Sequence, residues 1–92
     1  MKWYERNFKL LIDYSKRKTN ERKFPDWEEL PNGGRRYYFE VEGRLGWNAR
    51  YVKEVDQNET TQKFYQEIYD NQNNLVEIHI KFPNDQGHIK VG

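Results

Sequence analysis

The stretch Leu75-Val76-Glu77-Ile78-His79-Ile80-Lys81-Phe82-Pro83-Asn84-Asp85-Gln86-Gly87-His88-Ile89-Lys90-Val91-Gly92 reads as a β-hairpin. Val76, Ile78, Ile80 and Phe82 alternate with Glu77, His79 and Lys81. Beyond the turn signal Pro83-Asn84-Asp85-Gln86, Ile89 and Val91 alternate with His88 and Lys90. Side chains on a strand project alternately to opposite sides, so a period of two sends the apolar set to a buried face and the polar set to water. Both histidines of the chain lie in this stretch. The phase places His79, Lys81, His88 and Lys90 together on one exposed face.

Upstream of the hairpin the same period continues. Tyr37, Phe39 and Val41 alternate with Tyr38, Glu40 and Glu42, and Gly43-Arg44-Leu45-Gly46 turns the chain. Trp47, Ala49 and Tyr51 resume the apolar face, with the pairs Val41–Trp47, Phe39–Ala49 and Tyr37–Tyr51 expected. Asp56-Gln57-Asn58-Glu59-Thr60 is the next turn, and a third strand spans about Thr61 to Tyr69. Asp70-Asn71-Gln72-Asn73-Asn74 joins it to the hairpin, with Asn73 or Asn74 as the left-handed residue. Short connections make sequence neighbours spatial neighbours, so residues 35–92 form a five-strand antiparallel meander.

The first 23 residues read as a basic helical segment. From residue 2 to about 19, Tyr4, Phe8, Leu11, Ile12 and Ser15 fall on one stripe at helical spacing, with Trp3 and Tyr14 at its edges. Lys16-Arg17-Lys18 sits in the expected last turn, where cations suit the helix dipole. Thr19 to Lys23 then reads as a loop. Residues 24–34 link helix to sheet. There Asp26 and Glu29 are spaced as a capping box for a single helical turn that Pro31 stops, and Phe24, Trp27 and Leu30 are anchors. The fold class is therefore α+β, one domain over residues 1–92, with an N-terminal amphipathic helix packed on the sheet.

Composition narrows the function classes. The chain has 92 residues, 35% hydrophobic and 34% charged, with a net charge of +1. The core is small, and the 16% of aromatic residues must supply much of it. There is no cysteine, which excludes disulfides and thiolate metal sites and fits a reducing, cytoplasmic setting. No apolar run nears the ~18 residues of a membrane span, so no membrane partner is expected. Eight Lys/Arg against three Asp/Glu make residues 1–24 basic, and the remainder is acidic.

The expected register pairs Ile68 with Val76 and Phe64 with Ile80, which sets Tyr65 opposite His79 and Glu67 opposite Glu77. In the last hairpin Ile80 pairs with Ile89, so His79 meets Lys90 and Lys81 meets His88. Cleaving RNA without a metal needs a base for the 2′-hydroxyl proton, an acid for the leaving oxygen and a cation for the charged transition state. Histidine suits both proton roles because it titrates near neutrality. His79 and His88 are the candidate acid and base, and Glu67 or Glu77 orients a histidine or acts as base. Lys81, Lys90 or Arg50 supplies charge, and Tyr65 stacks on a nucleobase. The same residues also compose an ordinary solvated sheet face. No recognised metal-ligand spacing is present, and neither a metal nor another cofactor is expected. Gly33-Gly34-Arg35-Arg36 lacks the Lys-Ser/Thr of a P-loop and reads as a strand-entry turn.

Residues 64–92, with Phe64-Tyr65-Gln66-Glu67-Ile68-Tyr69-Asp70-Asn71-Gln72-Asn73-Asn74-Leu75 leading into the closing Gly87-His88-Ile89-Lys90-Val91, resemble small bacterial TumE-like toxins. That family shows a Tyr-x-Asp-x-x-Gly-x-Leu hairpin and a His-rich Pro-His-His-Lys-His-Val ending. Here the Asp-Asn-Ala-Pro-His-His stretch is missing and Lys90 stands where the family has histidine. His88 is the position that carries over, with His79 as a substitute for another. The resemblance implies a toxin–antitoxin setting, RNA as target and a cognate antitoxin-like protein as partner. The competing expectation is a non-enzymatic module that binds a protein through exposed aromatics or forms a homodimer along a sheet edge.

Overall fold

A meander of six antiparallel strands, each hydrogen-bonded to its neighbours in chain order, forms the body of the molecule. The computed structural model describes residues 14–91. The strands are β1 (Asp26–Glu29), β2 (Arg35–Glu42), β3 (Asn48–Val55), β4 (Thr61–Tyr69), β5 (Leu75–Phe82) and β6 (His88–Lys90). A helix, α1, occupies residues 14–23. The α+β class is as the sequence indicates. The expected helix over residues 2–13, with its Tyr4–Phe8–Leu11–Ile12 stripe, lies outside the described residues.

Two expectations in the linking region are corrected. Helix α1 runs through Thr19–Lys23, which was expected to be a loop, and the Asp26–Glu29 helical turn is instead the sixth strand, β1. The strand wins because alternation serves it on both faces. Trp27 lies opposite Tyr37, with ring centroids 6.2 Å apart. Glu28, on the other face, accepts from Arg36 Nη1 at 2.8 Å and from the Tyr38 hydroxyl. Pro31-Asn32-Gly33-Gly34 closes this hairpin, with Asn32 Oδ1 accepting from the Gly34 N–H at 2.9 Å. Gly33 has φ of 86°, and a Cβ on Gly34 would lie 2.1 Å from the Val55 carbonyl oxygen, so both positions require glycine.

Two later turns share one construction. Asp56 Oδ1 accepts from the N–H groups of Asn58 (2.8 Å) and Thr60 (3.0 Å), and Asp70 Oδ1 accepts from Gln72 and Asn74 (both 2.9 Å). In each, the fourth residue is left-handed: Glu59 at φ 61° and Asn73 at φ 64°. Asparagine tolerates that region, whereas glutamate costs about 1 kcal/mol or more there. Glu59 is held because its side chain is buried at 5% exposure and clamps the helix. Its Oε2 accepts from Tyr37 Oη at 2.8 Å and from Asn20 Nδ2 at 3.0 Å, while Arg17 Nε lies 3.4 Å from Oε1. Lys53 Nζ donates to Asn20 Oδ1 at 2.8 Å, and Arg35 reaches Glu21 on α1 at 3.0 Å. These bonds explain why the helix persists past Thr19: Asn20 is a docking residue.

Phe24, directly after α1, packs with Tyr37 and Val55 as a buried cluster that Phe64 flanks. Helix and Phe24 thus cover one face of the sheet near the β3–β4 turn, here called the α1 face. By strand alternation it carries Tyr37, Phe39 and Val41 of β2, Ala49, Tyr51 and Lys53 of β3, and Phe64, Gln66 and Ile68 of β4. The outer face carries Arg36, Tyr38 and Glu40, then Arg50 and Val52, then Tyr65 and Glu67. Val52 is wholly buried there, between Tyr38 and Tyr65 in the register. Each such burial stabilises by about 1.5–3 kcal/mol.

Registers differ from expectation in instructive ways. The Gly43–Trp47 connection holds a 3-10 turn at Arg44–Gly46, and this moves β2–β3 pairing by two residues, to Phe39↔Tyr51 and Val41↔Ala49. An even shift preserves the face of every side chain. In β4–β5 the pair beside the turn, Tyr69↔Leu75, keeps the expected register. A bulge between Ile68 and Tyr69 then skips Val76 and moves the pairing by one residue, to Ile68↔Glu77, Glu67↔Ile78, Gln66↔His79 and Tyr65↔Ile80.

Candidate anion site on the α1 face

The β5–β6 pairing sets His79 directly opposite His88, two residues away from the expected register but in the same phase. The imidazole centroids are 4.3 Å apart with the rings tilted by 49°. His79 is the more enclosed, with 15% of its side chain exposed against 50% for His88. Both project from the α1 face, because His79 pairs with Gln66, which pairs with Tyr51. This corrects the expectation of a wet face opposite the apolar set: the one-residue bulge in β4–β5 turns Ile78 and Ile80 to the outer face with Glu67 and Tyr65, and brings the histidines to the side that carries the helix.

Each ring is backed by a carboxylate. In the loop before β6, Asp85 Oδ1 accepts from the Gly87 N–H at 2.8 Å and lies 2.7 Å from His79 Nε2. The Gly87 amide first, and the His79 ring second, hold the Asp85 carboxyl below its ordinary value. Glu77 Oε1 lies 3.0 Å from His88 Nδ1. A carboxylate only accepts hydrogen bonds, so His79 Nε2 carries the proton it shares with Asp85, and His79 Nδ1 is the nitrogen left to exchange a proton with a ligand. Glu77 stands beside His88 as a charge neighbour. Orientation by a carboxylate fixes both tautomer and ring position.

Cations flank the pair. Lys90 lies opposite Glu77, two residues along β6 from His88 and on the same face. A bulge between Phe64 and Tyr65 leaves Lys81 unpaired, and its Nζ sits over the rings of Tyr51 (5.2 Å to centroid) and Phe64 (6.0 Å). Gln66 Nε2 donates to Tyr51 Oη at 3.2 Å. A continuous row therefore crosses the sheet: Phe39, Tyr51, Gln66, His79, His88. Among the described residues, no group of three or more His, Cys, Asp or Glu is arranged to hold a metal ion.

The structure thus brings together His79, His88, Lys81, Lys90 and Glu77. It places Tyr65, Glu67 and Arg50 on the outer face, away from the histidines. The one-residue shift after the β4–β5 bulge is the physical cause for Tyr65 and Glu67, which face Ile80 and Ile78 rather than His79 and Glu77. Arg50 is engaged with Glu40 through Nε at 3.0 Å and Nη2 at 2.8 Å, and its guanidinium lies between the rings of Tyr38 and Tyr69. Sequence reasoning missed Asp85 and Gln66 as members of the site. The Asp85-Gln86-Gly87 triplet did carry a signal, since an aspartate two residues before a turn glycine is fixed by that glycine's amide.

Comparison with protein-family models, curated proteins and solved structures finds no match.

Proposed function

We propose that this chain is an RNA-directed protein that cleaves the phosphodiester without a metal ion, using His79 and His88 as its proton-transfer pair. The observation that supports this reading is the pair itself: two imidazoles across from each other at 4.3 Å, each with its own carboxylate. An imidazole can either give a proton or accept one on its lone pair, so one ring of the pair can serve as acid and the other as base. In the proposed reaction the neutral ring takes the proton of the ribose 2′-hydroxyl. The freed oxygen attacks phosphorus as the bond to the 5′-oxygen breaks, and the protonated ring delivers its proton to that leaving oxygen. The products are a 2′,3′-cyclic phosphate and a 5′-hydroxyl, and the histidine pair ends with its proton on the opposite ring. Lys81 and Lys90 stabilise the negative charge that grows on the phosphate. The likeness of residues 64–92 to TumE-like toxins extends the proposal to a cytoplasmic toxin controlled by an antitoxin-like partner.

The test is RNA cleavage in EDTA by the wild type, His79→Ala and His88→Ala. Each substitution is expected to lower the rate by about 10²–10⁴-fold, with cyclic phosphate ends on the wild-type products. Equal rates in all three proteins, or no cleavage by the wild type, would overturn the enzymatic reading.

A further inference from the structure

We infer that the aromatic trough formed by Phe39, Tyr51 and Phe64 on the α1 face is a base-stacking site for single-stranded RNA, with Lys23, Lys53 and Lys81 as its phosphate contacts. The inference rests on the RNA reading above and names how the substrate lies. Two adjoining cavities mark the trough. One, of about 400 Å³, is lined by Lys23, Phe24, Lys53, Thr61, Phe64 and Phe82. The other, of about 270 Å³, shares Lys23, Phe24 and Phe64 and adds Phe39 and Tyr51. The first is the size of a small-molecule site. The Tyr51 and Phe64 rings are nearly parallel, 19° apart with centroids at 6.2 Å, and Phe39 is 6.2 Å from Tyr51 on the other side. Phe39 is 41% exposed, so its ring is accessible to a ligand.

Charge selects the occupant. Among the described residues none of Lys23, Lys53 and Lys81 has a carboxylate within salt-bridge distance. Lys53 donates to a neutral amide, that of Asn20. Burial, and then the charge of Lys23, hold the Lys53 ammonium below its ordinary value. Neighbouring ammonium groups that repel each other over an aromatic floor suit a ligand with planar rings and negative charge. Bases of a duplex are stacked on each other, whereas single-stranded bases are free to lie on protein rings. The trough also leads to the chemistry. Tyr51 and His88 are three strand spacings apart along one row, about 14 Å, so one extended strand spans both.

The experiment measures anisotropy of a labelled, uncleavable 2′-O-methyl oligoribonucleotide and of the same oligomer with abasic residues. The intact oligomer is expected to bind the wild type more tightly than the abasic one. Tyr51→Leu and Phe39→Ser are each expected to weaken binding by about tenfold, the lower range of a lost base–aromatic stack. Tyr51→Phe should bind as the wild type does. The double variant His79→Ala/His88→Ala should retain binding while cleavage is lost. Binding through the trough with no cleavage by the wild type would sink the enzymatic reading and leave this inference standing. Cleavage that is indifferent to Tyr51→Leu and Phe39→Ser would do the reverse. Equal affinity for the abasic oligomer overturns the inference, as does absence of binding with a dimer that Phe39→Ser dissociates. Phe39→Ser alters an exposed ring, so the trough is testable even if Tyr51→Leu fails to fold.

Discussion

Removing the Tyr37 hydroxyl isolates the bond that fastens the helix to the sheet. Tyr37 is fully buried, and its Oη donates to Glu59 Oε2 at 2.8 Å. Tyr37→Phe keeps the ring against Phe24 (centroids 5.7 Å) and Trp27 (6.2 Å). What it takes away is one buried hydrogen bond to a carboxylate, worth about 1.5–3 kcal/mol. The loss should fall at the lower end, because Glu59 retains Asn20 and Arg17 as donors. In a urea titration followed by far-UV circular dichroism, with a slope of about 1 kcal/mol/M for a chain of this size, the midpoint should fall by about 1.5 M. Glu59→Ala and Glu59→Gly then separate side chain from backbone. Both lose the carboxylate, but glycine relieves the left-handed φ of 61°. The glycine variant should be the more stable of the two by about 1 kcal/mol, the reverse of their order in an ordinary helix or strand. A Tyr37→Phe midpoint within error of the wild type, or an alanine variant as stable as the glycine one, would refute the clamp.

Alkaline pH should expose the same residue. Burial first, and the Glu59 bond second, push the Tyr37 phenol up to about 12, and burial does the same for Tyr65. The unfolded chain releases these protons near the ordinary value of 10.0, so stability is complete below pH 10 and declines as pH rises from 10 to 12; the urea midpoint should drop between pH 9 and pH 11, and Tyr37→Phe should lessen that drop. Leu45 is highly exposed and sits at φ 59°, so Leu45→Gly should raise stability by about 0.5–1 kcal/mol in the same titration, net of glycine's extra chain entropy. Asp85 acts through His79 as a positioning residue. Asp85→Asn removes a charge-assisted bond worth about 1.5 kcal/mol or more, so RNA cleavage should fall by about tenfold, with a shifted pH–rate profile and unchanged oligomer affinity; an unmoved profile would deny Asp85 that role.

The alternation that exposes β2 to β6 is strong because one face of each strand is apolar, and the structure retains every one of those strands. Where register shifts by two, as at Phe39↔Tyr51 and His79↔His88, side chains keep their phase, so it was legible that the two histidines share a face, and illegible that this face is the one carrying the helix. What sequence could not supply was the bulge that skips Val76, since nothing in Leu75-Val76-Glu77 distinguishes a paired valine from an extra one. That single residue separates Tyr65 and Glu67 from the histidines. Segment 26–29 was ambiguous for a related reason: Asp26 and Glu29 satisfy a capping pattern, and only the partner strand, with Arg36 and Tyr38 awaiting Glu28, decides for β. Glu59 in the left-handed position carried no sequence signal. Its reason lies 39 residues away, in Asn20.

The two faces of the sheet differ in how their cations are used, and this decides where an anion can go. On the outer face Arg36 is shared by Glu28 at 2.8 Å and Glu54 at 3.5 Å, and Arg50 is held by Glu40 at 2.8 Å. A phosphate approaching there meets guanidinium groups already neutralised and carboxylates that repel it, for a Coulomb penalty of about 1 kcal/mol per close like charge even in water. On the α1 face the carboxylates Asp85 and Glu77 are turned toward imidazoles, and Lys81 sits over aromatic rings with no carboxylate of the described residues at salt-bridge distance. At Lys81 an incoming phosphate replaces no ion pair among the described residues. The tyrosines of the outer face are therefore poor stacking platforms for a nucleic acid despite their number, and the fewer rings beside the histidines are good ones. A strand of RNA that bound the outer face instead, with affinity lowered by Tyr38→Ala and untouched by Tyr51→Leu, would show that this ranking by charge is mistaken.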